Sequence, residues 1–272
     1  MATITAADGT ALYVEAHGDG IPLVFSCALI TTHENWRPQV APLVAAGARV
    51  ILWDYRGHGL SSAPTDPDAY SMEQVVDDLG RVLDWAAPGQ TAVLGGLSFG
   101  GLASLHFTLR HPERVRGLLL VDSGPGFKNP KAQEGWAQAT ERTAAFVEKR
   151  GMEAFVERAA DTTVGQRPEL PAARAAAAAI AAQDPSGLAH FARRVAGVAP
   201  PVIDELPSID VPALVIVGEK DEPYLRAAEV MVAKLPRAER LTIPGAGHIV
   251  NIEAADVFDA AVIGFLGNLS ER

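Results

Sequence analysis

The sequence has a single cysteine, Cys27, in 272 residues. No internal disulfide framework can form, so a packed core must supply the stability. Basic residues are scarce beside acidic ones: 23 Lys and Arg against 33 Asp and Glu give a net charge of −10. Neutralising a phosphate backbone or an anionic bilayer requires clustered cations, and this balance argues against a nucleic-acid or membrane partner. Long apolar runs are missing too. The longest, Ala175 to Ala182, is far too short to span a bilayer. The amino terminus, Met1-Ala2-Thr3-Ile4-Thr5, has neither the basic start nor the apolar segment of a secretory signal, which sets the expectation of a cytoplasmic protein. Walker loops and metal-ligand spacings are absent, and Gly95-Gly96-Leu97-Ser98-Phe99-Gly100-Gly101 lacks the Gly-x-Gly-x-x-Gly spacing of a dinucleotide site. No metal and no cofactor is expected.

What is present is a series of short apolar runs rich in branched residues: Leu12 to Val14, Ile21 to Phe25, Arg49 to Trp53, Thr91 to Leu94, Leu118 to Val121, Ala213 to Val217 and Arg240 to Ile243. Most alternate with helical patterns, which predicts an α/β fold with a mostly parallel central sheet flanked by helices. One helix begins at Ser71, with Gln74 completing a capping box ahead of the stripe Val75, Val76, Leu79, Val82 and Leu83. Another runs from Asp256 to Leu266. Between Gly124 and Pro207 the strands stop. Met152, Phe155, Val156, Ala159 and Ala160 recur at helical spacing there, as do Trp136, Ala139, Phe146 and Val147. The division expected is a core domain of residues 1–123 and 208–272, interrupted by an all-helical cap at 124–207. An insertion there lies over the carboxyl edge of the sheet, where such folds bind ligands. Trp136, Phe146, Phe155 and Phe191 are candidates to line a substrate pocket beneath it.

The chemistry centres on Gly96-Leu97-Ser98-Phe99-Gly100. An apolar run precedes it, and Leu102, Leu105 and Leu109 follow at helical spacing. A sharp strand-to-helix turn brings backbones together, so the flanking glycines leave room and the serine Oγ projects from the sheet. A serine hydroxyl is a weak nucleophile until a base takes its proton and a third group orients that base. The run ending at Gly218 delivers Glu219-Lys220-Asp221-Glu222, and the run ending at Ile243 leads through Pro244-Gly245-Ala246-Gly247 to His248. Ser98, Asp221 and His248 are thus the candidate nucleophile, acid and base. Asp122, which ends another strand, is the alternative acid, and its Ser123-Gly124-Pro125-Gly126 sequel reads as a turn.

With these residues in that chain order, the sequence resembles the α/β-hydrolase superfamily, specifically a capped serine hydrolase of the carboxylesterase or enol-lactonase kind, over nearly its whole length. Asp54-Tyr55-Arg56-Gly57-His58-Gly59-Leu60-Ser61 resembles the family's Asp-x-Arg-Gly-x-Gly-x-Ser loop. The resemblance implies a structural role for Arg56 and His58. It also implies an oxyanion hole from two backbone N–H groups, those of Phe99 and, aligning on Trp36, of Leu29. One departure stands out: Cys27-Ala28-Leu29 occupies the place of the family's usual His-Gly pair. Ser26-Cys27-Ala28-Leu29 is similar to the Ser-Asn-Ser-Leu run of 3-oxoadipate enol-lactone hydrolases at Ser26 and Leu29. Cys27 itself reads as a small buried residue.

The function implied is cleavage of a small-molecule carboxylic ester or lactone through a Ser98 acyl-enzyme. Carbon–carbon hydrolases and perhydrolases share the triad. A hydrolase-fold ligand sensor with little turnover is the alternative from another class. The natural substrate and the oligomeric state are left open by the sequence.

Overall fold

The computed structural model describes residues 1–159 and 165–270. The strands are β1 (Ala2–Thr5), β2 (Ala11–His17), β3 (Ile21–Ser26), β4 (Ala48–Trp53), β5 (Ala92–Leu97), β6 (Val115–Val121), β7 (Ala213–Gly218) and β8 (Ala238–Ile243). They form one eight-stranded sheet in the order β1-β2-β4-β3-β5-β6-β7-β8. The pairs β1·β2 and β2·β4 are antiparallel and the rest parallel. The expected strands are all present. β1 is additional: it is a short edge strand whose residues alternate between half-buried and exposed, so it carries no apolar run for a sequence reading to find.

The central strands β5, β6 and β7 are almost wholly buried, as a parallel sheet covered on both faces requires. Helices α1 (Arg37–Ala45), α2 (Met72–Ala86) and α3 (Phe99–Arg110) follow β3, β4 and β5. The Ser71 side chain caps α2 by accepting from Gln74 N–H, and Val75, Val76, Leu79, Val82 and Leu83 form its buried face. Between β6 and β7 the chain leaves the sheet for α4 (Pro130–Arg158), α5 (Pro171–Ala181) and α6 (Pro185–Arg194). Helix α4 is broken at Gly151, where φ is 80°. The chain returns through α7 (Glu222–Lys234), which follows β7, and closes with α8 (Val250–Glu253) and α9 (Ala255–Ser270). Among the described residues, no helix is long and apolar enough to cross a membrane. Of the stripe expected around Met152, Ala160 lies outside the described residues.

The inserted helices carry a small core of their own. Ala144, Val147, Met152, Phe155, Ile180, Leu188, Ala189 and Ala192 cluster there. Ile30, from the turn after β3, packs into this cluster instead of the main core. The turn that ends β3 is thereby embedded in the insertion.

Candidate active site

β5 runs directly into Ser98, whose φ of 55° and ψ of −115° lie where a non-glycine residue is strained. Neighbouring contacts hold it there. Ser98 N–H donates to Val121 O at 2.9 Å, and Ser123 Oγ donates to Ser98 O at 2.7 Å. A Cβ at Gly96 would stand 2.1 Å from the Gly100 carbonyl carbon, and one at Gly100 would stand 2.4 Å from Ser26 O. Glycine is therefore a steric requirement of this turn. Helix α3 starts at Phe99, so the positive end of its dipole points at the serine.

β7 and the loop after β8 bring the candidate acid and base together. His248 Nδ1 lies 2.7 Å from Asp221 Oδ2. An ionised carboxylate can only accept, so Nδ1 carries the proton and Nε2 keeps its lone pair. The histidine loop is anchored by Gly247 N–H donating to Glu253 Oε2 at 2.6 Å. Asp122 takes another place. Fully buried, it accepts from Gly218 N–H at 2.8 Å. Burial pushes its pKa well above the usual carboxylate range, and the neighbouring Asp221 adds to that rise. Asp221 is the carboxylate that meets the histidine.

Ser98 has a neighbour that the sequence reading passed over. Ser98 Oγ is 3.1 Å from the hydroxyl of Tyr224, whose ring stacks on the His248 imidazole with centroids 5.0 Å apart and planes at 29°. Tyr224 lies three residues after Asp221 in the first turn of α7, and that spacing puts both on one side of the helix start. It was the one available signal.

The turn after β3 supplies the opposite wall. Ala28 N–H donates to Thr31 Oγ1 at 2.9 Å, and Tyr55 hydroxyl donates to Cys27 O at 3.1 Å. Ala28 needs no positive φ. The strained residue is Ile30, at φ 86°, an outlier for a β-branched side chain. Its N–H donates to His58 Nε2 at 3.3 Å, and its carbonyl accepts from Gln183 Nε2. Gln183 lies between α5 and α6, and its Oε1 also accepts from Gly59 N–H at 3.0 Å. His58 Nδ1 faces Arg56 O at 3.3 Å, an acceptor, so its proton sits on Nδ1 and the ring is neutral. Burial holds its pKa down at about 4. Arg56 is itself buried and paired with Asp78 through Nε at 2.7 Å and Nη2 at 2.8 Å. Among the described residues, neither Leu29 N–H nor Phe99 N–H has a protein acceptor, and both residues line the cleft. The Cys27 thiol is buried, and that burial raises its pKa well above the ordinary value, which makes it inert.

A cavity of about 550 Å3 opens above Ser98, Asp221 and His248. Its walls are mainly apolar, from Leu29, Ile30, Leu102, Phe127, Pro223 and Ala227 among others. Of the aromatics expected to line it, Trp136 and Phe155 do so. Phe191 does not. It is fully buried and packs on the rings of Tyr55, His58 and Phe99, where it seals the insertion onto the core. Phe146 also faces away, lying under the Arg158 guanidinium at 4.8 Å. Phe127, not anticipated, stands at the rim and is 41% exposed. A separate concavity of about 680 Å3 lies at the amino end of β7 and β8, the opposite end of the sheet from the serine.

Comparison with known proteins agrees with this arrangement. The family model described as alpha/beta hydrolase fold matches residues 21–255. The chain is 29% identical to 3-oxoadipate enol-lactonase 2 of Acinetobacter baylyi over 96% of its own length and 94% of that protein's. Among solved structures it is similar to a thermophilic esterase from Thermogutta terrifontis, with a TM-score of 0.86, 27% identity and coverage of 98% of both chains. It is also similar to the enol-lactonase from Burkholderia xenovorans LB400, with a TM-score of 0.84, 28% identity and coverage of 98% of this chain and 100% of that one. A sheet of this order, a serine on a glycine-walled turn and a family match across residues 21–255 lead to one conclusion: the chain belongs to the alpha/beta hydrolase fold family.

Proposed function

We propose that the protein is a serine hydrolase that cleaves small carboxylic esters or lactones with uncharged acyl groups, through an acyl-enzyme on Ser98. That it is an ester-bond hydrolase rests on its family and on its likeness to an esterase and an enol-lactonase. The observation carrying the finer reading is the Asp221–His248 pair at 2.7 Å on the floor of the same cavity as Ser98.

His248 Nε2 takes the Ser98 proton as Oγ attacks the ester carbonyl carbon, with Asp221 holding the imidazole and stabilising its charge. The carbonyl oxygen, now an oxyanion, turns to the N–H groups of Leu29 and Phe99. The alcohol leaves with the proton from Nε2, and water repeats the sequence on the acyl-enzyme to release the acid. Residues 124–207 act as the cap, with Trp136 and Phe155 shaping the acyl site.

The apolar walls favour an uncharged acyl group, because a carboxylate moved there from water loses its hydration without a partner. Among the described residues, no Lys or Arg lines the cavity, and residues 160–164 contain none. The likeness to enol-lactonases keeps lactones within the reading, provided their substituents are neutral. One assay tests the whole. Wild-type protein should turn over p-nitrophenyl butyrate many times per site, well ahead of the carboxylate-ended half-ester of glutaric acid, and a phosphonate should add its mass to Ser98. Ser98→Ala should lose on the order of a million-fold in kcat. Near-native turnover by Ser98→Ala, or a single turnover by wild type, would overturn the proposal.

A further inference from the structure

We propose that Tyr224 is a further catalytic residue, whose hydroxyl donates to Ser98 Oγ and carries part of the charge that Oγ acquires as it leaves the acyl-enzyme. The inference rests on the acyl-enzyme reading above and names a group that reading does not need.

Three observations place the hydroxyl for that task. It is 3.1 Å from Oγ, the atom whose bonds form and break. The Tyr224 ring stacks on His248 at a centroid distance of 5.0 Å, so the phenol lies beside the base, while the oxyanion donors Leu29 and Phe99 belong to other elements. The residue is fixed at the start of α7, where its own N–H donates to Asp221 O at 2.9 Å. Burial also raises its pKa, so the phenol keeps its proton wherever His248 is a working base.

The two halves of the reaction use such a donor differently. In acylation, Oγ starts as a hydroxyl, a good acceptor. A hydrogen bond to it stabilises the ground state as well as the transition state, and the benefits largely cancel. In the acyl-enzyme, Oγ is the bridging oxygen of an ester, a poor acceptor. Water then adds to the acyl carbon and gives a proton to His248 Nε2. The C–Oγ bond breaks with its electron pair going to Oγ, and Nε2 returns the proton there as the carboxylic acid departs. The Tyr224 proton is never transferred. Its hydrogen bond strengthens as charge builds on Oγ, so the gain falls in deacylation, where it is realised only in the transition state.

Tyr224→Phe keeps the stacked ring and removes only the donor. With p-nitrophenyl butyrate, kcat should fall about tenfold, the effect of one hydrogen bond to a charge-bearing oxygen. Acyl-enzyme should then accumulate, seen as a burst of p-nitrophenol approaching one per site. Phosphonate labelling of Ser98, which needs only the first half of the reaction, should stay within about threefold of wild type and also counts correctly folded sites. Wild-type kcat and burst in Tyr224→Phe would reduce the tyrosine to packing. Equal losses in labelling and kcat would place its action elsewhere, and a faster enzyme would mean that it restrains the serine. Each of these overturns the proposal while Ser98→Ala still abolishes turnover. Survival of turnover in Ser98→Ala would overturn the acyl-enzyme reading itself.

Discussion

The elbow at Ser98 and the turn at Ile30 wall the same cleft, and each holds a non-glycine residue at positive φ, 55° and 86°. They do it by different means. At the elbow, beside the short-range hydrogen bonds of Ser98 with Val121 and Ser123, absent side chains let the backbone of Gly96 approach Gly100 and that of Gly100 approach Ser26. At Ile30, side chains present do the holding: His58 takes its N–H, Gln183 takes its carbonyl, and the insertion's core takes its side chain. Strain set by close approach is local and nearly independent of conditions. Strain held by hydrogen bonds depends on distant residues and on their protonation.

Three changes can break or sharpen that contrast. Gly100→Ala has the largest expected effect. Its Cβ would stand 2.4 Å from Ser26 O and 2.8 Å from Cys27 O, forcing the two turns apart. The protein should either fail to fold or lose on the order of 10³ in kcat/KM, the scale of a lost oxyanion donor. Circular dichroism with phosphonate labelling separates these results, and near-native turnover would mean that the turns are not in steric register.

Acid should strike the second turn and spare the first. His58 has a folded pKa of about 4 against 6.5 when free. Between those values the unfolded chain binds a proton that the folded one does not. Its contribution is therefore present above pH 6.5 and lost as pH falls toward 4, to a total of about 3 kcal/mol. Unfolding free energies of wild type and His58→Asn, followed from pH 7 to 4.5, should differ in slope by about one proton, with the variant shallower. Parallel curves would remove His58 from the account.

The smallest effect is a reversal of order. Glycine is ordinarily less stable than alanine, but at φ 86° the alanine Cβ is the strained one. Ile30→Gly should therefore exceed Ile30→Ala in stability by about 1 kcal/mol in urea unfolding. The usual order would show that the turn relaxes out of the left-handed region once isoleucine is gone.

The same contrast decides how much could be read in advance. The elbow, the Ser71 cap, the parallel strands and the order Ser98, Asp221, His248 follow from local patterns, because each is written in a few adjacent residues. Tyr224 and Gln183 are not. The tyrosine meets Ser98 across 126 residues, and the glutamine meets Ile30 across 153. Periodicity identified the helical stretches bearing Trp136, Phe146 and Phe155 but not their facing, which, as for Phe191, depends on neighbours from other elements. Trp136 turns its ring to the cavity with Nε1–H on Ala196 O at 2.8 Å, whereas Phe191 is drawn inward by a cluster of rings on the core.

Gln183 braces two core segments from a single position in the insertion. Its amide holds Ile30 with one end and Gly59 with the other, and it rides on the link between α5 and α6. One side chain between α5 and α6 therefore ties together the turn after β3 and the loop after β4, so whatever displaces that segment acts on both at once.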